Sequence, residues 1–182
     1  KHLSGLGISA NRIFTIPYGV DQNYFCPQKD VEQQPDLILS VGEPRSRNYS
    51  LLFNAVAGLP IRLITAASGM WFAREKKHKI IAPNPPNVEI VRHLSSLSLR
   101  SLYAQSSFVV LPVNDQIASA GTTVILEAGC MERCVIVTRS QGIQDYVIDG
   151  ETGIMVEPDN VDALQDAISY LHAHPEEARR MG

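Results

Sequence analysis

The chain has 182 residues, of which 45% are hydrophobic and 19% charged, and its formal net charge is −3. That length and composition fit one globular domain whose core needs no metal or disulfide staple, and they exclude a disordered or collagenous chain. The mild acidic excess argues against nucleic acid or an anionic membrane as a general partner, and no apolar run approaches the ~20 residues of a membrane span.

The opening KHLSGLG carries no charged-then-apolar leader pattern and reads as the tail of a helix, so the chain is expected to be a piece of a longer protein. IFTI at 13–16 reads as a short strand stopped by Pro17, and the polar, proline-containing 22–35 as a surface connection. DLILSVG (36–42) is a continuous apolar run closed by glycine, the pattern of a strand buried on both faces. A short amphipathic helix follows over 50–57, then a strand over 61–67 and a helix over 71–80 with a basic run, Arg74, Lys76, Lys77 and Lys79, read as a solvated face. Beyond the proline-punctuated loop 82–87, VEIV (88–91) is a strand, 96–105 a helix, 107–112 a strand, 122–131 a helix, and 134–138 and 153–156 strands. Asn160, with Asp162 in the following turn, starts a final helix over 160–172 carrying Val161, Leu164, Ile168 and Leu171 on its apolar face. Strands alternating with helices predict an α/β fold, a doubly wound parallel sheet covered on both faces.

Ligands of such sheets sit outside the carboxyl ends of the strands. Three segments fall there. In Ser40-to-Tyr49, Gly42 ends a strand and lets a ligand approach the backbone, and Arg45 and Arg47 in the loop can hold phosphate oxygens. In Ser119-to-Gly129, small residues open a helix whose N–H groups suit an anion, while Glu127, between Leu126 and Ala128, needs a partner such as a sugar hydroxyl. The plainer reading of that helix is an ordinary Ser/Thr cap with Glu127 on a wet face. The third, Arg139-to-Pro158, is turn chemistry at Asp149-Gly150 and Thr152-Gly153. His93, after VEIV, reads by itself as a surface histidine. Cys26, Cys130 and Cys134 lack partners with zinc spacing and read as small core residues; the five histidines show no ligand spacing either. The glycine fingerprint of dinucleotide sites, the P-loop and the hydrolase elbow are all missing.

Taken in order, IPYGVD (16–21), LSVGEPRSRNYSLLFNAV (39–56) and the 119–158 segment resemble the C-terminal, donor-binding domain of GT-B retaining glycosyltransferases of family 4, the group 1 glycosyl transferases. The resemblance implies a Rossmann-like half of a GT-B fold spanning residues 1–182, with 1–11 as the tail of an inter-domain helix and the N-terminal acceptor domain absent. It implies a cytoplasmic transferase that moves a sugar from a UDP- or GDP-linked donor to an acceptor, without metal or other cofactor. The fragment alone would then have little activity, and any peripheral membrane contact would be made through the absent half. By the same resemblance Gly42 lies next to the diphosphate, Arg45 and Arg47 neutralise it, and Ala120, Gly121, Thr122 and Thr123 supply helix-start N–H groups. Glu127 would hold the ribose hydroxyls, and His93 and Leu94 would frame the nucleobase. Two positions depart from the pattern: Ser119 stands where relatives carry a glutamate for the donor sugar, and Glu43 where an arginine is commoner. Ser119 leaves room for the alternative of a non-catalytic sugar-nucleotide-binding or scaffold domain with a degenerate donor site.

Overall fold

A computed structural model describes residues 5–14, 16–67, 84–114, 120–140 and 142–182. Six strands make one sheet: β1 (Leu37–Val41), β2 (Arg62–Ala66), β3 (Val88–Val91), β4 (Phe108–Leu111), β5 (Val135–Thr138) and β6 (Gly153–Val156), in the order β3-β2-β1-β4-β5-β6. Every pairing is parallel. Parallel neighbours cannot be joined by tight hairpins, so the connections must cross over a face. Among the described residues α1 (Tyr49–Val56) crosses between β1 and β2, α2 (Ser96–Gln105) between β3 and β4, and α3 (Thr122–Cys130) between β4 and β5, while α4 (Val161–Ala173) and α5 (Pro175–Met181) follow β6.

The strand alternation sorts side chains into two cores. Ile38, Leu63, Phe108, Val110 and Ile136 meet Leu52, Phe53 and Val56 of α1 and Leu164, Ile168 and Leu171 of α4 on one face. Leu37, Leu39, Ile64, Val109, Leu111 and Val137 meet Tyr103 and Ala104 of α2 and Val124, Ile125 and Ala128 of α3 on the other. Each fully buried aliphatic or aromatic side chain among these contributes about 1.5–3 kcal/mol. Since β1 connects to β2 over one face while β3 returns to β4 over the other, the chain changes direction between β1 and β4, whose carboxyl ends are left open to a ligand.

Local signals hold the helices. Asn48 Oδ1 accepts from Leu51 N at 3.0 Å and starts α1, and Asn160 Oδ1 accepts from Ala163 N at 2.9 Å at the start of α4. The predicted strands from DLILSVG onward appear within a residue of their expected bounds. Among the described residues of 13–16 no strand forms. Ile13, Phe14 and Ile16 lie outside the sheet, with Phe14 and Ile16 84% and 88% exposed. Three apolar residues ahead of a proline, which has no N–H to donate, gain neither a ladder nor a core there. One helix was not anticipated: α5 begins at Pro175, carries Glu176 and Glu177 in its first turn and Arg179 and Arg180 in its last, and brings Met181 Sδ to 3.8 Å from Cys134 Sγ. The helix expected at 71–80 and its basic run lie outside the described residues.

Candidate functional site

At the opening between β1 and β4, two loops are tied by backbone bonds. Asn48 N donates to Pro112 O at 2.7 Å and Asn114 N to Ser46 O at 3.1 Å. Into this crease folds Arg47, 5% exposed. Its Nε donates to Val41 O at 2.9 Å, and its Nη1 to Ser46 O and Oγ at 3.1 and 3.3 Å. Among the described residues no carboxylate forms an ion pair with it, and burial lowers its pKa below the ordinary arginine value. A guanidinium held by neutral oxygens in a desolvated crease retains uncompensated positive charge, which an incoming anion would neutralise.

Two glycines frame this cation. Gly42 has φ +135, and a Cβ there would lie 2.8 Å from Arg47 Cζ, Nε and Nη2; Gly121 has φ +106, and a Cβ there would lie 3.7 Å from Nη2. Both dihedrals are strained for residues with a side chain. Tyr49, the first residue of α1, donates from its hydroxyl to Gly42 O at 2.8 Å and holds the glycine turn from behind.

Gly121 is also the N-cap of α3 and, being glycine, brings no side chain of its own to cap that helix start. The Ser/Thr cap of the plainer reading is therefore absent from Gly121, and the positive end of the helix opens beside Arg47. Ala120 and Thr122 are buried and Thr123 is exposed. The structure thus brings Gly42, Arg47 and Gly121 together, whereas Arg45 is exposed, so the two arginines do not occupy equivalent places. Arg47 can meet a phosphate from inside the crease with geometry already set.

Glu127 is not on a wet face. It is 9% exposed in the second turn of α3, and its Oε2 accepts from Tyr103 Oη at 2.8 Å. Burial pushes its pKa above the ordinary glutamate value, and the tyrosine hydrogen bond partly offsets this. Tyr103 was invisible to sequence reasoning as a site residue, since a tyrosine on the apolar face of a helix reads as core. Glu127 lies five positions after Thr122, about 7.5 Å along the helix axis, so one ligand can span the crease and the carboxylate.

His93 and Leu94 follow β3, on the edge of the sheet, with β2 between them and β1. At about 4.8 Å per strand, two strand spacings set them roughly 10 Å from β1. His93 is exposed with φ +57, while Leu94 is half-buried against the second core. Thr138 and Ser140, at the carboxyl end of β5, bury hydroxyls with no hydrogen-bond partner among the described residues. Ser119 lies outside those residues, and within them no cluster of metal-ligating side chains occurs.

A doubly wound sheet with a buried cation and a glycine-capped helix start at its switch point defines a Rossmann-like domain with a candidate anion site. The family model described as Glycosyl transferases group 1 matches residues 24–182, and the chain belongs to that family. It is similar to the GDP-mannose-dependent alpha-(1-6)-phosphatidylinositol monomannoside mannosyltransferase of Mycolicibacterium smegmatis, with 25% identity over 92% of this chain and 49% of that protein. The chain therefore spans about half the length of that relative. Among solved structures it resembles Anabaena HepE in complex with UDP (TM-score 0.76, 12% identity, 98% of this chain and 52% of that one). It also resembles sucrose-phosphate synthase from Thermosynechococcus elongatus (TM-score 0.71, 22% identity, 91% and 45%). At these identities the structures bear on the fold alone, and that fold is the Rossmann-like half of GT-B glycosyltransferases.

Proposed function

We propose that the chain is the donor-binding domain of a retaining glycosyltransferase that uses a UDP- or GDP-linked sugar. The observation that carries this reading is the Arg47 guanidinium, buried with no carboxylate partner among the described residues, between Gly42 and the glycine N-cap of α3. Transfer from such a donor builds negative charge on the departing diphosphate, and a preorganised cation and helix N-terminus stabilise that charge as it forms. Two or three phosphate oxygens would fit the donors available there, with Arg45 adding charge at the loop's outer side. Glu127 would accept from the ribose hydroxyls, Ala120, Gly121, Thr122 and Thr123 would line the phosphates, Ser119 would face the donor sugar, and His93 and Leu94 would border the base. Support comes also from the relatives: one is named for GDP-mannose, and another was solved with UDP.

On this reading the reaction needs no metal, the acceptor groups belong to a second domain, and the protein works in the cytoplasm. The replacement of the donor-sugar glutamate by Ser119 favours the alternative of a binding or scaffold domain that has lost turnover. Titration calorimetry with UDP, GDP and ADP, first metal-free and then with magnesium, tests the reading. Saturable binding of one nucleotide without metal is the expected result, and the absence of binding to all three at millimolar concentration overturns it.

A further inference from the structure

The Glu127 carboxylate lies in an environment that its own helix does not explain. Among the described residues, the Tyr103 hydroxyl at 2.8 Å is the one hydrogen-bond donor to it, and it reaches Oε2 alone. An ionised carboxylate offers about four acceptor sites, of which Tyr103 fills one; Oε1 is not among the buried atoms left without a partner, so the remaining sites are open to solvent or a ligand. Tyr103 is itself immobilised. It is fully buried, Phe25 packs edge-on against its ring at 6.0 Å, and its carbonyl accepts from Arg133 Nε at 3.0 Å. A rigid donor to one oxygen of a carboxylate fixes the rotamer and aims the other oxygen.

We propose that Tyr103 is the positioning residue of the donor site: its hydroxyl holds Glu127 Oε2 so that Oε1 is presented to the vicinal hydroxyls of the donor's ribose. This rests on the reading of the chain as a nucleotide-sugar-binding domain and deepens it. The charged and titratable groups around the pair are Arg47 from the β1–α1 loop, which interacts electrostatically with Tyr103, and Arg133 from the α3–β5 turn, bonded to the carbonyls of Tyr103 and Ala104. Neither forms an ion pair with Glu127, which leaves the tyrosine, among the described residues, as the group that sets the carboxylate's direction. Its hydrogen bond favours the ionised form of Glu127, the form that accepts from two hydroxyls at once.

The test is Tyr103→Phe, which deletes one oxygen and keeps the ring packing. Binding is measured for wild type and variant with UDP, GDP, their 2′,3′-dideoxy analogues and inorganic pyrophosphate. Loss of about three- to tenfold for the ribose-bearing diphosphate that wild type prefers, none for its dideoxy analogue or pyrophosphate, is expected from removing one aligning hydrogen bond. The loss should vanish in a Glu127→Gln background, and in Tyr103→Phe alone the acid limb of the binding–pH profile should move to higher pH. Equal weakening of ribose-bearing and ribose-free ligands, or none, overturns the proposal while leaving the donor-domain reading in place. If wild type binds neither UDP nor GDP, the donor-domain reading fails first and this proposal with it.

Discussion

The Arg47 guanidinium occupies the space that a side chain on Gly42 would need, with three of its atoms 2.8 Å from the Cβ position. Glycine at 42 and arginine at 47 are therefore one device. The missing side chain is the cavity in which the cation sits, and the φ of +135 at Gly42 aims the strand-end turn around it.

Gly42→Ala should disable the device in two ways. The backbone dihedral would cost about 1–2 kcal/mol for a residue with a Cβ, and the guanidinium would have to leave its carbonyl partners. We expect a lower denaturation midpoint together with at least about tenfold weaker diphosphate binding, as loss of a charged hydrogen bond implies. Retained affinity in a correctly folded variant would show that the anion does not meet Arg47.

Arg47→Lys keeps a charge but loses the planar fork that bonds Val41 O and Ser46 O together. Calorimetry should show a loss of about 1.5–3 kcal/mol for UDP or GDP and almost none for the bare nucleoside. Arg45→Ala should cost less, because exposed charges are screened by water and salt. A larger effect at Arg45 than at Arg47 would reverse the assignment.

Glu127 makes stability depend on pH. Its folded-state pKa is raised by burial above about 4.5, its ordinary value, so between those two values the native state holds a proton that the unfolded chain has released. Unfolding free energy attributable to this group is thus highest in acid, falls as pH rises through that window, and levels off once the buried carboxylate ionises. Glu127→Gln should remove this fall. Its stability relative to wild type should climb with pH above about 4.5 and then plateau, while ribonucleoside diphosphate affinity declines. Urea melts at a series of pH values would show this, and parallel curves for the two proteins would refute it.

Thiol labelling separates the cysteines. Cys134 is buried at the start of β5 against Met181, and burial pushes its thiol up to about 12, so it holds almost no thiolate at neutral pH. Iodoacetamide should modify the half-buried Cys26 and Cys130 in the native chain and reach Cys134 only on unfolding. Rapid native labelling of Cys134 would mean that α5 detaches readily.

The sheet was legible because parallel strands buried on both faces are nearly pure apolar runs, such as LILSV at Leu37–Val41 and VIVT at Val135–Thr138. IFTI misled because it has the composition of such a strand without a place in the ladder, and composition does not say who the neighbour is. The α5 helix carries its start and stop signals in seven residues, Pro175, two acidic residues and two arginines, but is too short to show apolar periodicity. Gly42, Arg47 and Gly121 could be picked out, since glycines and a basic residue just past strand ends have few other uses.

Sequence alone determined the α/β class, the strand runs and the family resemblance, because these depend on local periodicity and on motif order along the chain. Tertiary structure decided which arginine enters the crease, that α3 takes a glycine as its N-cap, and that Glu127 is held by Tyr103. The last pair lies 24 residues apart on two different helices, and their contact exists only because the sheet packs both helices against one face. A residue's charge is written in its own letter, whereas its desolvation and its partner are set by atoms distant along the chain.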